Sequence, residues 1–207
     1  MCGYHWNKFL CWCFGSLFLL LRIQAASCQR EGFFNKTSYI RLYTPLSLNR
    51  HISLSFRTCE GGQLFQQTSN GNSITLEVRQ EGLQFSVSIP PRHYESRISD
   101  NFLDNTWHTV NILNRLGNLT LSAAGHQVVV ANLTYNFDIL AQPELFTEKA
   151  VLMVGNGFVG CILEGPSLVF NNSQILPHNV EWGPCPFTGN CSKVDHCSHE
   201  PCMMHGA

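Results

Sequence analysis

With 207 residues and a hydrophobic fraction of 44%, the chain can bury one large core or two small ones, which excludes wholesale disorder. Ten cysteines are too many for an ordinary protein of the reducing cytosol and point to an oxidising compartment. The formal net charge is −1, from 13 Lys+Arg against 14 Asp+Glu, and no basic run of five occurs, so a nucleic-acid partner is not expected.

The N-terminus carries targeting information. Lys8 precedes an apolar run from Phe9 to Leu21, followed by Arg22 and the small residues Ala25-Ala26-Ser27. That run is too short for a membrane span, which needs about 20 residues, and suits the h-region of a cleaved signal peptide over 1–27. An uncleaved anchor is the alternative, and palmitoylation of Cys11 or Cys13 a lesser one. A buried core helix fits badly, because the run is apolar all round. Removing Lys8 and Arg22 leaves 11 basic residues against 14 acidic ones. No second apolar run of membrane length follows, so the mature chain is expected to be secreted, without a stable membrane span.

From Cys28 onward the pattern has period two. Ile52, Leu54 and Phe56 alternate with Ser53, Ser55 and Arg57; Ile74, Leu76 and Val78 with Thr75, Glu77 and Arg79; Leu83, Phe85, Val87 and Ile89 with Gln84, Ser86 and Ser88. Strands of this kind bury one face and wet the other, as two packed antiparallel sheets require. Glu60-Gly61-Gly62, Asn70-Gly71-Asn72 and Gln80-Glu81-Gly82 read as turns between them, the last as a hairpin. Pro90-Pro91 ends a strand, and a polar connection runs on to Asp104. Trp107-His108-Thr109-Val110 opens the next strand, Gly117 breaks it, and Leu119–Leu121 and Val128–Val130 pair around Ala124-Gly125. Residues 136–149 read as irregular, with Pro143 limiting any helix. Val151–Val154, Cys161–Leu163 and Leu168–Phe170 finish the pattern. The expectation is an all-β, two-sheet antiparallel jelly-roll-like sandwich of about twelve strands over 28–185.

Four segments, in order, resemble a known family. Ser73–Val87 is similar to a strand-turn-strand "leL..dG.l.f.v"; Asp104–Val110 to "nDg.WHtV", with Asn105-Thr106 departing from the usual Asp-Gly; Val154-Gly155 to "vGG"; and Gly157–Ile162 to a G-F-x-G-C-I strand. Together they identify the segment as a laminin G-like (LG) domain of the concanavalin-like sandwich class. It resembles the LG modules of extracellular LG/EGF proteins of the Crumbs, eyes shut, neurexin and laminin kind. The resemblance implies a non-catalytic recognition module for adhesion or for matrix and receptor binding, with an extracellular protein or glycan as partner and rim loops near 90–105 and 134–149 setting specificity. It also implies a terminal disulfide between Cys161 and Cys185, closing a loop of about 25 residues at about 3 kcal/mol. Cys28 and Cys59 are a second candidate pair, which spacing alone does not establish.

Residues 186–194 read as a linker. After it, Asp195-His196-Cys197-Ser198-His199-Glu200-Pro201-Cys202 resembles the start of an EGF-like module, incomplete over 195–207 because six cysteines are needed. The expectation is a short form of a larger LG/EGF protein, with an odd tail cysteine open to intermolecular pairing. A zinc site from Cys191, Cys197 and Cys202 with His196, His199 or His205 is the alternative for the tail; its spacing is not standard.

Five N-x-S/T sequons follow the leader: Asn35, Asn118, Asn132, Asn171 and Asn190. Asn118 shares a strand face with Thr120, opposite Leu119 and Leu121, and is expected to face solvent. Asn190 is adjacent to Cys191, whose bonding competes with glycosylation.

Catalysis finds little support. His108 lies near Asp104, with Ser122 later, but no G-x-S-x-G elbow or known triad context occurs. His108 shares a face with Val110 and Ile112, so a packed strand histidine is expected, and Trp107 is expected to pack as well. Glu77 sits on a solvated face without a second carboxylate to make a glycosidase pair. The family often holds Ca²⁺ at a sandwich rim through Asp or Asn and backbone carbonyls. Asp100, Asp104 and Asp138, with Asn101, are the candidates. Ser122-Ala123-Ala124-Gly125 stands where the family often has Val-Asp-Gly, which argues against a site; no other cofactor is implied. Arg41, Arg50, Arg57, Arg79, Arg92, Arg97 and Arg115 are scattered, so a sulfated-glycan patch is not expected. Two rival readings are a carrier of a small hydrophobic, steroid-like ligand between the sheets, and a truncated, non-signalling competitor of a longer receptor.

Overall fold

The computed structural model describes residues 30–48, 50–115, 117–132, 150–165, 168–170, 175–186 and 191. The expected signal peptide over 1–27, Cys28, the segment 133–149 and the cysteine-bearing tail after Cys191 lie outside the described residues.

In chain order, β1 (Glu31–Phe34), β2 (Tyr39–Leu42) and the long β3 (Ile52–Ser69) lead into the meander β4 (Asn72–Arg79), β5 (Gly82–Ile89) and β6 (Arg92–Ile98). A second meander, β7 (His108–Arg115), β8 (Asn118–Ala123) and β9 (His126–Asn132), precedes β10 (Val151–Val154), β11 (Val159–Leu163), β12 (Ile175–His178) and β13 (Glu181–Trp182). All pairings are antiparallel. The first sheet runs β9-β8-β7-β3-β11-β1-β13. The second runs β6-β5-β4-β3-β10-β2-β12. The expected all-β sandwich is the fold observed.

The two sheets share β3. Its first part pairs with β7 and β11, up to Gly61 opposite Val159, and its second part, from Gly62 opposite Val78, with β4 and β10. Glu60-Gly61-Gly62, expected as a turn, is therefore a bulged hand-over within one strand. Gly61 and Gly62 stand at φ +83° and +113°, which bends the strand out of one sheet and into the other without reversing it. Thr58 holds the bend: its hydroxyl donates to Val159 O (2.6 Å) and accepts from the N–H groups of Glu60 (3.1 Å) and Gly61 (2.8 Å). Asn70-Gly71 and Ala124-Gly125, by contrast, are true two-residue hairpins, each with positive φ at both positions.

Three expectations are corrected at the edges. Residues 92–98 form β6 and not a connection; Arg92, His93, Glu95 and Arg97 face solvent because β6 borders the second sheet. Leu168 forms only an isolated bridge with Gly165. The closing strands are β12 and β13, which Pro177 and their shortness conceal. Ser96 Oγ donates to Val129 O (2.9 Å) and links β6, at the border of the second sheet, to β9.

Among the described residues, seven phenylalanines lie fully buried between the sheets: Phe34, Phe56, Phe65, Phe85, Phe102, Phe158 and Phe170. Each contributes on the order of 2–3 kcal/mol of burial. Phe158, in the β10–β11 connection, sits edge-on to both Phe34 (6.4 Å) and Phe56 (6.5 Å), which couples that turn to β1 and β3.

Candidate recognition surfaces

The Asp104–His108 segment is a framework. Asn105 adopts φ +60°, where asparagine substitutes for glycine at low cost. Its N–H donates to Thr58 O (3.0 Å), and its Oδ1 accepts from Arg57 Nε (2.9 Å), so the turn is bound to β3. Asp104 Oδ1 accepts from Thr106 N (2.9 Å), Thr106 Oγ1 (2.9 Å) and His108 Nε2 (2.8 Å). The imidazole then lies against Phe102 (ring centroids 5.0 Å) and Phe56 (5.7 Å), and its side chain is only 14% exposed. His108 is thus the packed strand histidine expected. Trp107 differs from expectation: it is 39% exposed and points to solvent.

Burial pushes the Asp104 carboxyl upward, but the Thr106 N–H, His108 and the Thr106 hydroxyl outweigh it and hold the pKa below its ordinary value. A depressed carboxyl stabilises the fold fully above the unfolded-state pKa of about 3.9 and ceases to do so as pH falls through the folded value. Asp104→Asn is accordingly expected to flatten the dependence of stability on pH below about pH 4. Asp104→Ala, which leaves the Thr106 and His108 donors without their acceptor, is expected to cost about 1 kcal/mol at neutral pH because the site is partly solvated. Urea denaturation at pH 3 and pH 7 measures both.

Of the Ca²⁺ candidates, Asp100 and Asp104 are described, and each is engaged by local partners. Asp104 Oδ1 is engaged by Thr106 N and His108 Nε2, and the one Thr106 hydroxyl hydrogen is shared between Oδ1 (2.9 Å) and Oδ2 (3.0 Å). Asp100 Oδ1 accepts from Asn101 N (2.8 Å), and its Oδ2 lies 3.8 Å from His126 Nε2, a different neighbourhood. Oxygens already engaged by N–H and O–H donors are poorly disposed to coordinate a hard cation. Among the described residues, no three His, Cys, Asp or Glu side chains converge. Asp138 lies outside the described residues.

Cysteine pairing is corrected in one case. Cys161, on β11, is bonded to Cys185 (Cα–Cα 5.9 Å). Cys59, on β3, is bonded to Cys191 (Cα–Cα 5.3 Å), so it is not available to Cys28. Spacing along the chain hides this pair, because its members are separated by 132 residues and meet only once β3 is folded. The bond also removes Cys191 from any zinc set and brings a residue of the expected linker onto the sandwich. Both bonds start from the outer side of the first sheet, since Cys161 pairs in register with the outward Arg57, and the segment after β13 is stapled there at Cys185 and Cys191.

The other half of that outer face is open. Across β7, β8 and β9 lies a groove of about 500 Å³, lined by Asn111, Leu113, Thr120, Ser122, Gln127 and Val129, with His51 and Arg115 at its margins. Asn118 also lines it. Period-two alternation shows each of these residues to be outward-facing, but only the strand register assembles them into one surface. Among the other sequons, Asn35 is exposed in the β1–β2 turn, its Oδ1 accepting from Thr37 N (3.0 Å) and Thr37 Oγ1 (2.8 Å). Asn132 ends β9, opposite Asn118 in register. Asn171 and Asn190 lie outside the described residues.

The arginines remain dispersed. Arg79 pairs with Glu77 (2.8 Å), Arg97 donates to Gln84 (3.3 Å), Arg57 holds Asn105, and Arg41 lies over the Tyr43 ring (5.4 Å).

Comparisons to known proteins place this sandwich in a family. The laminin G domain family model matches residues 56–165, from the first part of β3 to just past β11. The chain belongs to the laminin G domain family. Neurexin-2 of Homo sapiens and of Mus musculus are each 24% identical over 198 residues, covering 85% of this chain and 11% of their own length. The chain thus spans about a tenth of the relatives it matches. Among solved structures, the LG1-3 region of the laminin alpha2 chain superposes with a TM-score of 0.57 at 11% identity, over 74% of this chain and 34% of that one. Mouse laminin alpha1 LG4-5 gives 0.49 at 20% identity, over 75% and 47%. Laminin G domains are binding modules of extracellular proteins. Among the described residues no helix is long and apolar enough to cross a membrane.

Proposed function

We propose that the chain is a secreted, N-glycosylated laminin G recognition module that binds an extracellular protein or glycan in adhesion or matrix assembly, without catalysis. The observation that carries this reading is the pair of disulfides, Cys59–Cys191 and Cys161–Cys185, stapling a laminin G sandwich. Such bonds form and persist in the secretory pathway and outside the cell, not in a reducing cytosol. The apolar leader at Phe9–Leu21 supports the same route. Asp104 and His108, the residues nearest to an acid–base pair, are engaged with Thr106 and packed against phenylalanines, a supporting and not a reacting arrangement. A steroid-like ligand would need the space between the sheets, which the seven phenylalanines occupy, so a surface recognition role is favoured over a carrier. Competition with a longer receptor concerns the tail beyond Cys191, and the recognition reading does not depend on it.

The test is saturable binding. Chain secreted from mammalian cells, purified and fluorescently labelled, is titrated onto cultured cells and deposited matrix, with and without EDTA. Saturable binding abolished by excess unlabelled protein supports the proposal. Binding that stays linear with concentration on every surface contradicts it.

A further inference from the structure

We propose that the groove across the outer face of β7, β8 and β9 is a seat for the chain's own N-linked glycan, carried on Asn118. The proposal rests on the secretory reading above. Asn118 and Thr120, the first and third residues of the sequon, both line the groove, so a glycan attached there begins on its wall. Asn35, by contrast, lies at an exposed turn away from this groove.

The lining matches the chemistry of a neutral sugar. Ser122 and Gln127 supply hydroxyl and amide groups for sugar hydroxyls and acetamides, the Thr120 hydroxyl, which donates to Leu113 O (3.0 Å), offers its lone pairs, and none of the lining residues is acidic. Leu113 and Val129 form an apolar strip on which the C–H face of a pyranose ring can lie. Val129 is 58% exposed, the most exposed large hydrophobic side chain of the described residues, and the glycan would cover it. At about 500 Å³ the groove falls within the range of small-ligand sites.

The covalent link supplies what such weak contacts lack. A short tether holds a ligand at an effective concentration on the order of millimolar, so a contact with a Kd of about 1 mM is populated about half the time without any free ligand. Asn132 stands beside Asn118 in register, at a cross-strand spacing of about 5 Å. Asn118 and Thr120 both line the groove, which assigns the seat to the Asn118 glycan. A glycan seated there directs partners away from the outer face of β7, β8 and β9.

The experiment uses the full chain secreted from mammalian cells in an Asn132→Gln background. Site occupancy is read by glycopeptide mass spectrometry, and deglycosylation by peptide N-glycosidase is followed on the native protein. The Asn118 glycan is expected to be released at least tenfold more slowly than the Asn35 glycan. Val129→Ser combined with Leu113→Ser, both surface changes, is expected to bring the two rates within twofold. Equal native rates in the parent, or slow release unchanged by the double substitution, would overturn the proposal. Equal rates with concentration-dependent self-association of Asn118→Gln would instead give the groove to a second copy of the chain. Glycan on Asn35 with none on Asn118 defeats the seat but leaves secretion standing, whereas no glycan on either defeats both.

Discussion

Replacing Cys191 with serine is expected to destabilise the domain by about 5 kcal/mol, the chain-entropy value for a crosslink closing a loop of more than 100 residues. The bond to Cys59 spans 132 residues and anchors the C-terminal segment to the middle of β3, beside the hand-over between sheets. A loss of that size approaches the whole stability of a typical domain, about 5–15 kcal/mol, so the variant is expected to be secreted poorly as well. The competing pairing makes the opposite prediction. Were Cys59 bonded to Cys28, Cys191→Ser would leave the urea midpoint unchanged, and Cys28→Ser would lower it. Non-reducing urea denaturation of both single variants therefore decides the pairing as well as its magnitude.

Gly62→Ala is the second large effect. Gly62 has φ +113°, and a Cβ there would meet Gly157 O and, at 2.7 Å, Phe158 Cα. Both obstacles are backbone of the β10–β11 connection, which Phe158 fixes between Phe34 and Phe56, so neither yields as a flexible side chain would. Backbone strain of about 1–3 kcal/mol adds to a similar overpacking term, for an expected loss of about 3 kcal/mol or more. Gly71→Ala is the control. Gly71 has φ +82° with open space around its Cβ, so only strain applies and about 1 kcal/mol is expected. Equal thermal midpoints for the two variants would show that β3 does not hand over between sheets as described.

The sandwich was largely legible in the sequence because its central strands bury one face each. β4, β5, β7 and β8 declare themselves by alternation, and Asn70-Gly71 and Ala124-Gly125 by turn chemistry. β6 escaped because a border strand wets its outer side chains, leaving only Tyr94 and Ile98 to mark an inner face. β3 was cut in two because paired glycines signal a reversal and a bulge alike, and only the partner strands distinguish them. Around Asp104 the local half of the framework, Thr106 and His108, was within reach of spacing. Arg57 and Thr58 were not, because they arrive from β3 through tertiary pairing. The Cys59–Cys191 bond and the groove beside Asn118 share that character: each brings together residues whose separation in sequence carries no period.

The proposed function requires an oxidised laminin G domain that travels the secretory route. Chain expressed with its own N-terminus in mammalian cells, recovered from the medium and digested without reduction, is expected to yield two disulfide-linked peptide pairs, Cys59 with Cys191 and Cys161 with Cys185. Retention of the chain in the cytosol with those four cysteines as free thiols would contradict it.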